Sequence, residues 1–151
     1  MRLEMLLEQI KELISSPQHL NHQVVSCEEA ATAKGISLVN ELKSLVLETS
    51  KGPYIVHIPG NKCLDLRKVK KFINVDEACL ASKEVLTSLG VRPGTVTPFS
   101  DNIWNLRQLV SEEILNLKFV STNNGKLDEY ISFSPILLLK IPNVYVGNFI
   151  R

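Results

Sequence analysis

Residues 41–59 read ELKSLVLETSKGPYIVHIP, and this stretch decides the fold class. Two apolar runs, at residues 44–47 and 54–58, flank the turn-forming sequence SKGP at residues 50–53. Apolar runs of this length around such a turn are typical of a β-hairpin. The sequence therefore predicts a hairpin of two central strands.

Helix signals lie on both sides of this hairpin. Leucines and isoleucines recur at three- and four-residue spacing near the N-terminus until Pro17, which predicts an amphipathic helical segment within residues 1–20. Ser26 and Glu29 form a capping box for a second helix, and Gly35 ends it. By similar signals, further helices are expected at residues 65–73, 83–89 and 134–139.

Short strand-like segments alternate with these helices. No long parallel series of strand, helix and strand is present, and no internal repeat occurs. The pattern predicts a single domain of the mixed α/β class. The expected short strands lie at residues 22–25, 77–81, 106–110, 117–121, 130–133 and 144–150.

Length and composition restrict the class of protein. The chain has 151 residues, which suits one domain, and its 17 basic and 16 acidic residues leave a net charge of +1. This balance argues against a protein that coats nucleic acid through phosphate neutralisation alone. The longest aliphatic run, residues 136–139, is too short to span a membrane, and no signal peptide is recognisable, so a cytoplasmic location is expected.

Several common chemistries lack their motifs. The sequence has no G-x-S-x-G, G-x-G-x-x-G or P-loop pattern, which argues against a serine hydrolase, a dinucleotide-binding fold or a P-loop NTPase. The three histidines fit surface or core positions better than metal sites, and no cofactor or metal is expected. The cysteines, interpreted as small buried hydrophobic residues, are Cys27, Cys63 and Cys79.

Two features are candidates for a functional site. Lys43 opens an apolar strand, where it is either a solvated edge charge or an ammonium that projects into a cleft. Residues 90–99, GVRPGTVTPF, contain two glycines and two prolines and therefore form a loop of fixed shape. This loop is either a rigid connector or a rim of backbone N–H groups directed at a developing oxyanion.

One cluster of positive charge follows the hairpin. It is either an ordinary solvated helix face or a surface that docks one arm of a structured RNA. The residues concerned are Lys62, Arg67, Lys68, Lys70 and Lys71.

From residue 22 onwards the sequence resembles the YbaK and ProX deacylases and the editing domain inserted in bacterial prolyl-tRNA synthetases. The resemblance is carried by HQVVSCEEAA at residues 22–31, the lysine-bearing strand at residues 41–47, IPGNK at residues 58–62 and the loop at residues 90–99. It implies an editing domain over residues 21–151, preceded by the N-terminal helical segment. The implied fold is a mixed α+β domain in which helices flank a curved, mostly antiparallel sheet.

The implied function is hydrolysis of the ester that links a wrong amino acid to the terminal ribose of a tRNA. No protein nucleophile is implied, since a water acts with help from the ribose hydroxyl of the substrate. Lys43 would fix the 3′ end of the substrate, Gly94 and Thr95 would supply oxyanion contacts, and Pro98 would hold the loop in shape. The other residues implied to bind the substrate are Thr97, Pro98, Ser121 and Asp128.

The amino acid and the partners follow from the same resemblance. The loop sequence VTPF at residues 96–99 is similar to the ProX type, which implies alanine, whereas residues 119–121 and their spacing to Asp128 are similar to the YbaK type, which implies cysteine. The expected partners are mischarged tRNA, most naturally tRNA(Pro), and prolyl-tRNA synthetase, with Lys62, Arg67, Lys70 and Lys71 as tRNA contacts. Neither DNA nor a membrane is an expected partner, and the chain is expected to be a monomer. Two alternatives are a non-catalytic module that binds tRNA or a synthetase, and an amidase or esterase of small metabolites.

Overall fold

The computed structural model describes residues 2–151, and the predicted hairpin lies at its centre. Strand β2 spans Leu42–Thr49 and β3 spans Gly52–Pro59. They pair in antiparallel register, with Lys43 opposite Ile58 and Ser44 opposite His57. Side chains of both strands enter core clusters on either face of the sheet, which explains why each run is apolar without interruption.

Three further strands complete a five-stranded mixed sheet. Strand β4 (Ala78–Leu80) pairs antiparallel with β2, while β5 (Arg107–Ser111) pairs parallel with β3. Strand β8 (Val144–Gly147) pairs parallel with β5. The order β4–β2–β3–β5–β8 places the hairpin in the interior of the sheet, as predicted.

A second sheet of three antiparallel strands lies beside the first. Strands β1 (Gln18–His19), β6 (Val120–Asn123) and β7 (Glu129–Phe133) follow the order β1–β7–β6. A bridge between Glu41 and Ser121 joins this sheet to the start of β2. The predicted fold class is confirmed, with the strands divided between two sheets.

Within residues 2–151, four α-helices flank the sheets, and three of them begin at the caps that the sequence indicates. Helix α1 spans Leu3–Glu12, α2 spans Cys27–Lys34, α3 spans Leu66–Ile73 and α4 spans Lys83–Ser88. Ser26 caps α2 by accepting a hydrogen bond from the amide of Glu29, and Gly35 ends this helix with a φ of +70°. Asp65 and Ser82 cap α3 and α4 in the same way.

Several local predictions differ from the structure. The helix predicted within residues 1–20 ends at Glu12, with β1 at residues 18–19, and the strand predicted at residues 144–150 ends at Gly147. The segment predicted as a strand at residues 22–25 is irregular, although the Val24 amide donates to the Leu127 carbonyl. The strand predicted at residues 117–121 starts at Val120, because a 3₁₀ turn at Glu112–Asn116 ends just before it. The predicted last helix is also a 3₁₀ segment, Pro135–Lys140, and Ser134 makes no side-chain cap there.

Helix α1 packs on the domain through its apolar stripe. Leu7 and Ile10 are buried in a cluster with Phe99, Trp104 and Phe133. The helix thus completes the core behind the loop at residues 90–99. Residue 1, which belongs to the helical segment predicted for residues 1–20, lies outside the described residues.

The cysteine interpretation is wrong at two positions. Cys63 and Cys79 are exposed, and Cys27 is half-buried. Cys63 lies beyond the end of β3, and Cys79 lies on the edge strand β4, so neither reaches a core face. Between Arg2 and Arg151 no helix is both long enough and apolar enough to cross a membrane.

Candidate active site

A cleft opens where the start of β2 meets α2, the β6–β7 connection and the loop at residues 90–99. It encloses about 170 Å³. Lys43 and Gly94, 51 positions apart in the sequence, both line it. The structure therefore brings together the two features that the sequence singled out.

Lys43 lies on the half-buried rim of this cleft. Its Nζ donates a hydrogen bond to the backbone carbonyl oxygen of Lys62 at 2.9 Å. Cys27, on the opposite wall, has a raised thiol pKa because burial disfavours the thiolate, although the charge of Lys43 opposes this effect. A thiol held in its protonated form is a poor nucleophile, so Cys27 does not supply covalent chemistry here.

The loop at residues 90–99 is fixed by hydrogen bonds, as its composition predicts. The Thr95 hydroxyl accepts from the Arg92 amide and donates to the Arg92 carbonyl, both at 2.8 Å. The Thr95 amide also donates to that carbonyl, at 3.0 Å. This amide is consequently not free for an oxyanion contact, which corrects the role implied for Thr95: it stabilises the turn.

Gly94 occupies a position that suits glycine alone. Its φ is +82°, and a Cβ added there would lie 2.9 Å from Leu127 Cδ2. Within residues 2–151, no group accepts a hydrogen bond from the backbone N–H of Gly94 or of Val96, and both residues line the cleft. These two amides are the unpaired donors that the loop places at the cleft.

A buried ion pair underlies the cleft. Lys34 Nζ lies 2.8 Å from Glu41 Oε1, donates a hydrogen bond to Oε2 at 3.1 Å and donates another to Ser121 Oγ at 3.0 Å. The two side chains are 3% and 4% exposed, so almost no water screens the pair. Burial raises the pKa of Glu41, and Lys34 counteracts that rise. The pair joins α2 to the residue that precedes β2, two positions before Lys43.

Sequence reasoning missed this pair. In the sequence, Lys34 is an ordinary basic residue in the last turn of a predicted helix, and Glu41 is a charged residue at the edge of a predicted strand. The available signal was the single acidic residue directly before an apolar strand. A second signal was a helix whose other face is small, which allows close packing against that strand.

The remaining predicted substrate contacts are dispersed. Thr97 lines a second cavity with Phe99 and Ser100 rather than the cleft, which corrects its predicted place in the site. Pro98 is buried, and its carbonyl accepts from Gln108 Nε2 at 3.1 Å. Ser121 lies beneath the cleft as an acceptor for Lys34, and Asp128 flanks it, with its carbonyl accepting from the Leu20 amide.

The basic cluster lies on and just before α3. Lys62, Arg67 and Lys71 are exposed, and Lys70 is half-buried. Lys68 differs from them because its Nζ donates to the Ile150 carbonyl at 2.6 Å. The free positive face of α3 therefore consists of Arg67, Lys70 and Lys71, and Lys62 lies just before the helix. These four residues are the predicted tRNA contacts.

His57 is a fully buried core side chain with polar partners. Its Nδ1 lies 2.7 Å from Ser44 Oγ, and its Nε2 lies 2.5 Å from Gln108 Oε1. Burial lowers the pKa of His57 from 6.5 to about 4, although the hydrogen bond to Gln108 opposes this effect. His57 is therefore neutral in the folded protein at neutral pH.

This lowered pKa predicts acid sensitivity. Between pH 6.5 and pH 4 the unfolded chain binds a proton at His57 that the folded chain does not, so stability present above pH 6.5 is lost as the pH falls. We expect the free energy of unfolding to fall by about 3 kcal/mol from this group between pH 7 and pH 4. Urea titrations at several pH values measure it. His57→Gln should flatten the dependence, His22→Gln at an exposed position should not, and equal slopes in both variants would contradict the assignment.

Among the described residues, 2–151, no group of three or more His, Cys, Asp or Glu side chains is placed to hold a metal ion.

Comparisons with solved structures agree with this architecture. The chain is 25% identical to a scaffold protein used for computational epitope grafting, with a TM-score of 0.84 over 99% of this chain and 95% of that one. It is 24% identical to a hypothetical protein, with a TM-score of 0.83 over 99% of both chains. It is 23% identical to a candidate trans-editing enzyme for prolyl-tRNA synthetase, with a TM-score of 0.82 over 99% of both chains. The last two likenesses show the fold.

Sequence comparison supplies the family. No curated protein sequence matches the chain. The model of the aminoacyl-tRNA editing domain matches residues 21–141, a span that contains Lys43, the buried pair and the whole loop at residues 90–99. The match confirms the resemblance found in the sequence. The chain therefore belongs to the aminoacyl-tRNA editing domain family.

Proposed function

We propose that this protein is a trans-editing deacylase that hydrolyses the ester of mischarged tRNA, with residues 21–151 as the editing unit and tRNA(Pro) as the tRNA. The observation that carries the proposal is the cleft itself, which is lined both by Lys43 and by Gly94 and Val96 with their unpaired amides. This arrangement offers a cation for the 3′ end and two donors for a carbonyl oxygen. It suits an ester that is already activated and needs positioning and charge stabilisation.

The proposed reaction uses a water molecule as the nucleophile. The water oxygen bonds to the ester carbonyl carbon, and the carbonyl oxygen takes up negative charge against the amides of Gly94 and Val96. The ester C–O bond then breaks, and the leaving ribose oxygen receives a proton from the water through the neighbouring ribose hydroxyl. Lys43 binds the phosphate beside the terminal ribose. The products are the free amino acid and tRNA with an intact 3′ end.

Shape is the proposed basis on which the cleft selects the amino acid. A synthetase pocket built for proline discriminates against alanine or cysteine by only about 1 to 3 kcal/mol, so a second pocket that excludes proline by shape is needed. A panel of alanyl-, cysteinyl-, seryl- and prolyl-tRNA identifies the substrate. We expect release of alanine or cysteine and retention of proline. Equal hydrolysis of prolyl-tRNA would contradict the proposed selection by shape.

The face of α3 provides a separate test of tRNA contact. Lys70 and Lys71 in the last turn carry no ion pair within the described chain. If they bind phosphates, reversing both charges should raise KM for tRNA and lessen its salt dependence, since fewer counterions are released on binding. The measurement is kcat/KM against ionic strength for Lys70→Glu/Lys71→Glu.

A matched control uses two exposed lysines elsewhere, as Lys118→Glu/Lys140→Glu. It changes the net charge of the chain equally but should leave the salt dependence close to that of the wild type. Equal effects of both double variants would show that overall charge, and not the face of α3, attracts the tRNA. Thermal unfolding of each variant controls for the loss of basic residues at the C-terminus of α3.

A further inference from the structure

A chain of three polar side chains crosses the interior from the cleft to the loop at residues 90–99. Ser44, which follows Lys43 on β2, is half-buried and lines the cleft. Its Oγ lies 2.7 Å from Nδ1 of His57 on β3, and Nε2 of His57 lies 2.5 Å from Oε1 of Gln108 on β5. His57 and Gln108 are both fully buried.

The surroundings of Gln108 determine where the protons lie. Its Nε2 carries two hydrogens and lies within hydrogen-bond distance of three backbone carbonyl oxygens, those of Pro98, Ile103 and Trp104, so its Oε1 faces His57. An amide oxygen cannot donate, so Nε2 of the neutral imidazole carries the hydrogen and Nδ1 is an acceptor. The Ser44 hydroxyl consequently donates its proton to Nδ1, inside the protein. Its oxygen is left with lone pairs for the cleft.

Ser44 in this network does not act as a nucleophile. Attack by Ser44 would move its proton to His57 and create a buried imidazolium beside a neutral amide. Replacing the carboxylate of a Ser-His-Asp triad by an amide lowers kcat by about 10⁴-fold. Burial has also lowered the pKa of His57 to about 4, which makes it a weak base.

Most of the other side-chain acceptors that line the cleft have partners inside the protein. The Glu41 carboxylate accepts a hydrogen bond from Lys34. The Glu129 carboxylate is paired with Lys126 and accepts from Asn124, and the Ser26 hydroxyl donates to Glu29. The Asn123 oxygen accepts from the Gly125 amide, and Thr122 is buried beside it. The Tyr130 hydroxyl is directed to Gln18, which does not line the cleft. Ser44 Oγ, one position after Lys43, accepts from no donor within residues 2–151 and therefore stays available to a water.

We propose that Ser44 is the positioning residue for the attacking water: its oxygen accepts a hydrogen bond from that water, while His57 and Gln108 hold the hydroxyl in one orientation. The inference rests on the proposed function, because it concerns the same hydrolysis. The amides of Gly94 and Val96 can only donate hydrogen bonds, which suits the carbonyl oxygen of the ester. Orienting the attacking water also requires an acceptor, and Ser44 supplies it. The ribose hydroxyl remains the proton carrier.

The test compares Ser44→Ala, Ser44→Thr and wild type in single-turnover and steady-state hydrolysis of the aminoacyl-tRNA that the wild type cleaves best. Loss of one oriented hydrogen bond should lower kcat about tenfold in Ser44→Ala and leave KM unchanged. Ser44→Thr keeps the hydroxyl and should retain most of the wild-type rate. Ser132→Ala, at a half-buried serine of β7 outside the cleft, is the matched control and should behave as the wild type does.

The possible outcomes distinguish failure of this inference from failure of the proposed function. If the wild type is active and Ser44→Ala equals it in kcat, this inference is overturned alone. A change in KM without a change in kcat would overturn it too, as would an aminoacyl group found covalently on Ser44 by rapid-quench mass spectrometry. If the wild type releases no amino acid from any charged tRNA, the proposed function fails, and this inference with it.

Discussion

Lys43→Ala is expected to lower kcat/KM for mischarged tRNA by about 100-fold while the chain stays folded. The cleft is lined by three lysines, but Lys34 is paired with Glu41 and Lys126 with Glu129. Within residues 2–151, Lys43 Nζ bonds to the uncharged carbonyl oxygen of Lys62 and to no carboxylate. Its positive charge is therefore available to the phosphate of the substrate. Hydrogen bonds between charged groups contribute about 1.5 to 3 kcal/mol, which sets the size of the effect.

Lys126→Ala is the matched control for this variant. It removes a lysine from the rim of the same cleft, but one whose ammonium is bound to Glu129 at 3.1 Å and whose side chain is 69% exposed. We expect a change of less than about threefold, since exposed ion pairs contribute little. Full activity in Lys43→Ala, or equal losses in both variants, would refute the assignment of Lys43 to the substrate.

Gly94→Ala is expected to reduce the hydrolysis rate by about 10² to 10³-fold, the usual cost of losing one oxyanion donor. The new Cβ would lie 2.9 Å from Leu127 Cδ2 at a backbone position with φ of +82°. Relief of that contact displaces Leu127 or the loop, and we expect the displaced loop to turn the Gly94 amide away from the ester. The loss should appear in kcat, because the contact is strongest in the transition state.

Gly125→Ala separates this geometric effect from backbone strain. Gly125 has a φ of +85°, nearly that of Gly94, but a Cβ there would meet nothing within 4 Å. It should lose stability comparable to Gly94→Ala and keep its activity. A double variant, Gly94→Ala/Leu127→Ala, removes the contact and should recover part of the rate. Equal activities of Gly94→Ala and Gly125→Ala would mean that the loop does not hold the oxyanion.

The parts of the fold that were predictable are those with local causes. The hairpin of β2 and β3 follows from two apolar runs around a turn, and the ends of α2 follow from Ser26 and Gly35. The meeting of Lys43 with Gly94 was predictable from the family resemblance, since nothing local connects two residues 51 positions apart.

The parts that were not predictable depend on partners distant in sequence. Lys34 and Glu41 form an ion pair only because α2 packs against the start of β2, and Thr95 is withdrawn from the cleft by its hydrogen bonds to Arg92. Ser44 and Gln108 are unremarkable as residue types. They become a directed chain of hydrogen bonds only when antiparallel pairing of β2 with β3 and parallel pairing of β3 with β5 place both beside His57.

The most direct test of the account is whether the protein cleaves the aminoacyl ester on tRNA in preference to a simple ester. Alanyl- and cysteinyl-tRNA(Pro), and the ethyl esters of the same amino acids, are incubated with wild-type protein and with Lys43→Ala. We predict rapid release of at least one amino acid from tRNA by the wild type alone, with little cleavage of the ethyl esters. Cleavage of the ethyl esters as fast as the tRNA esters, or no release from either charged tRNA, would contradict the account.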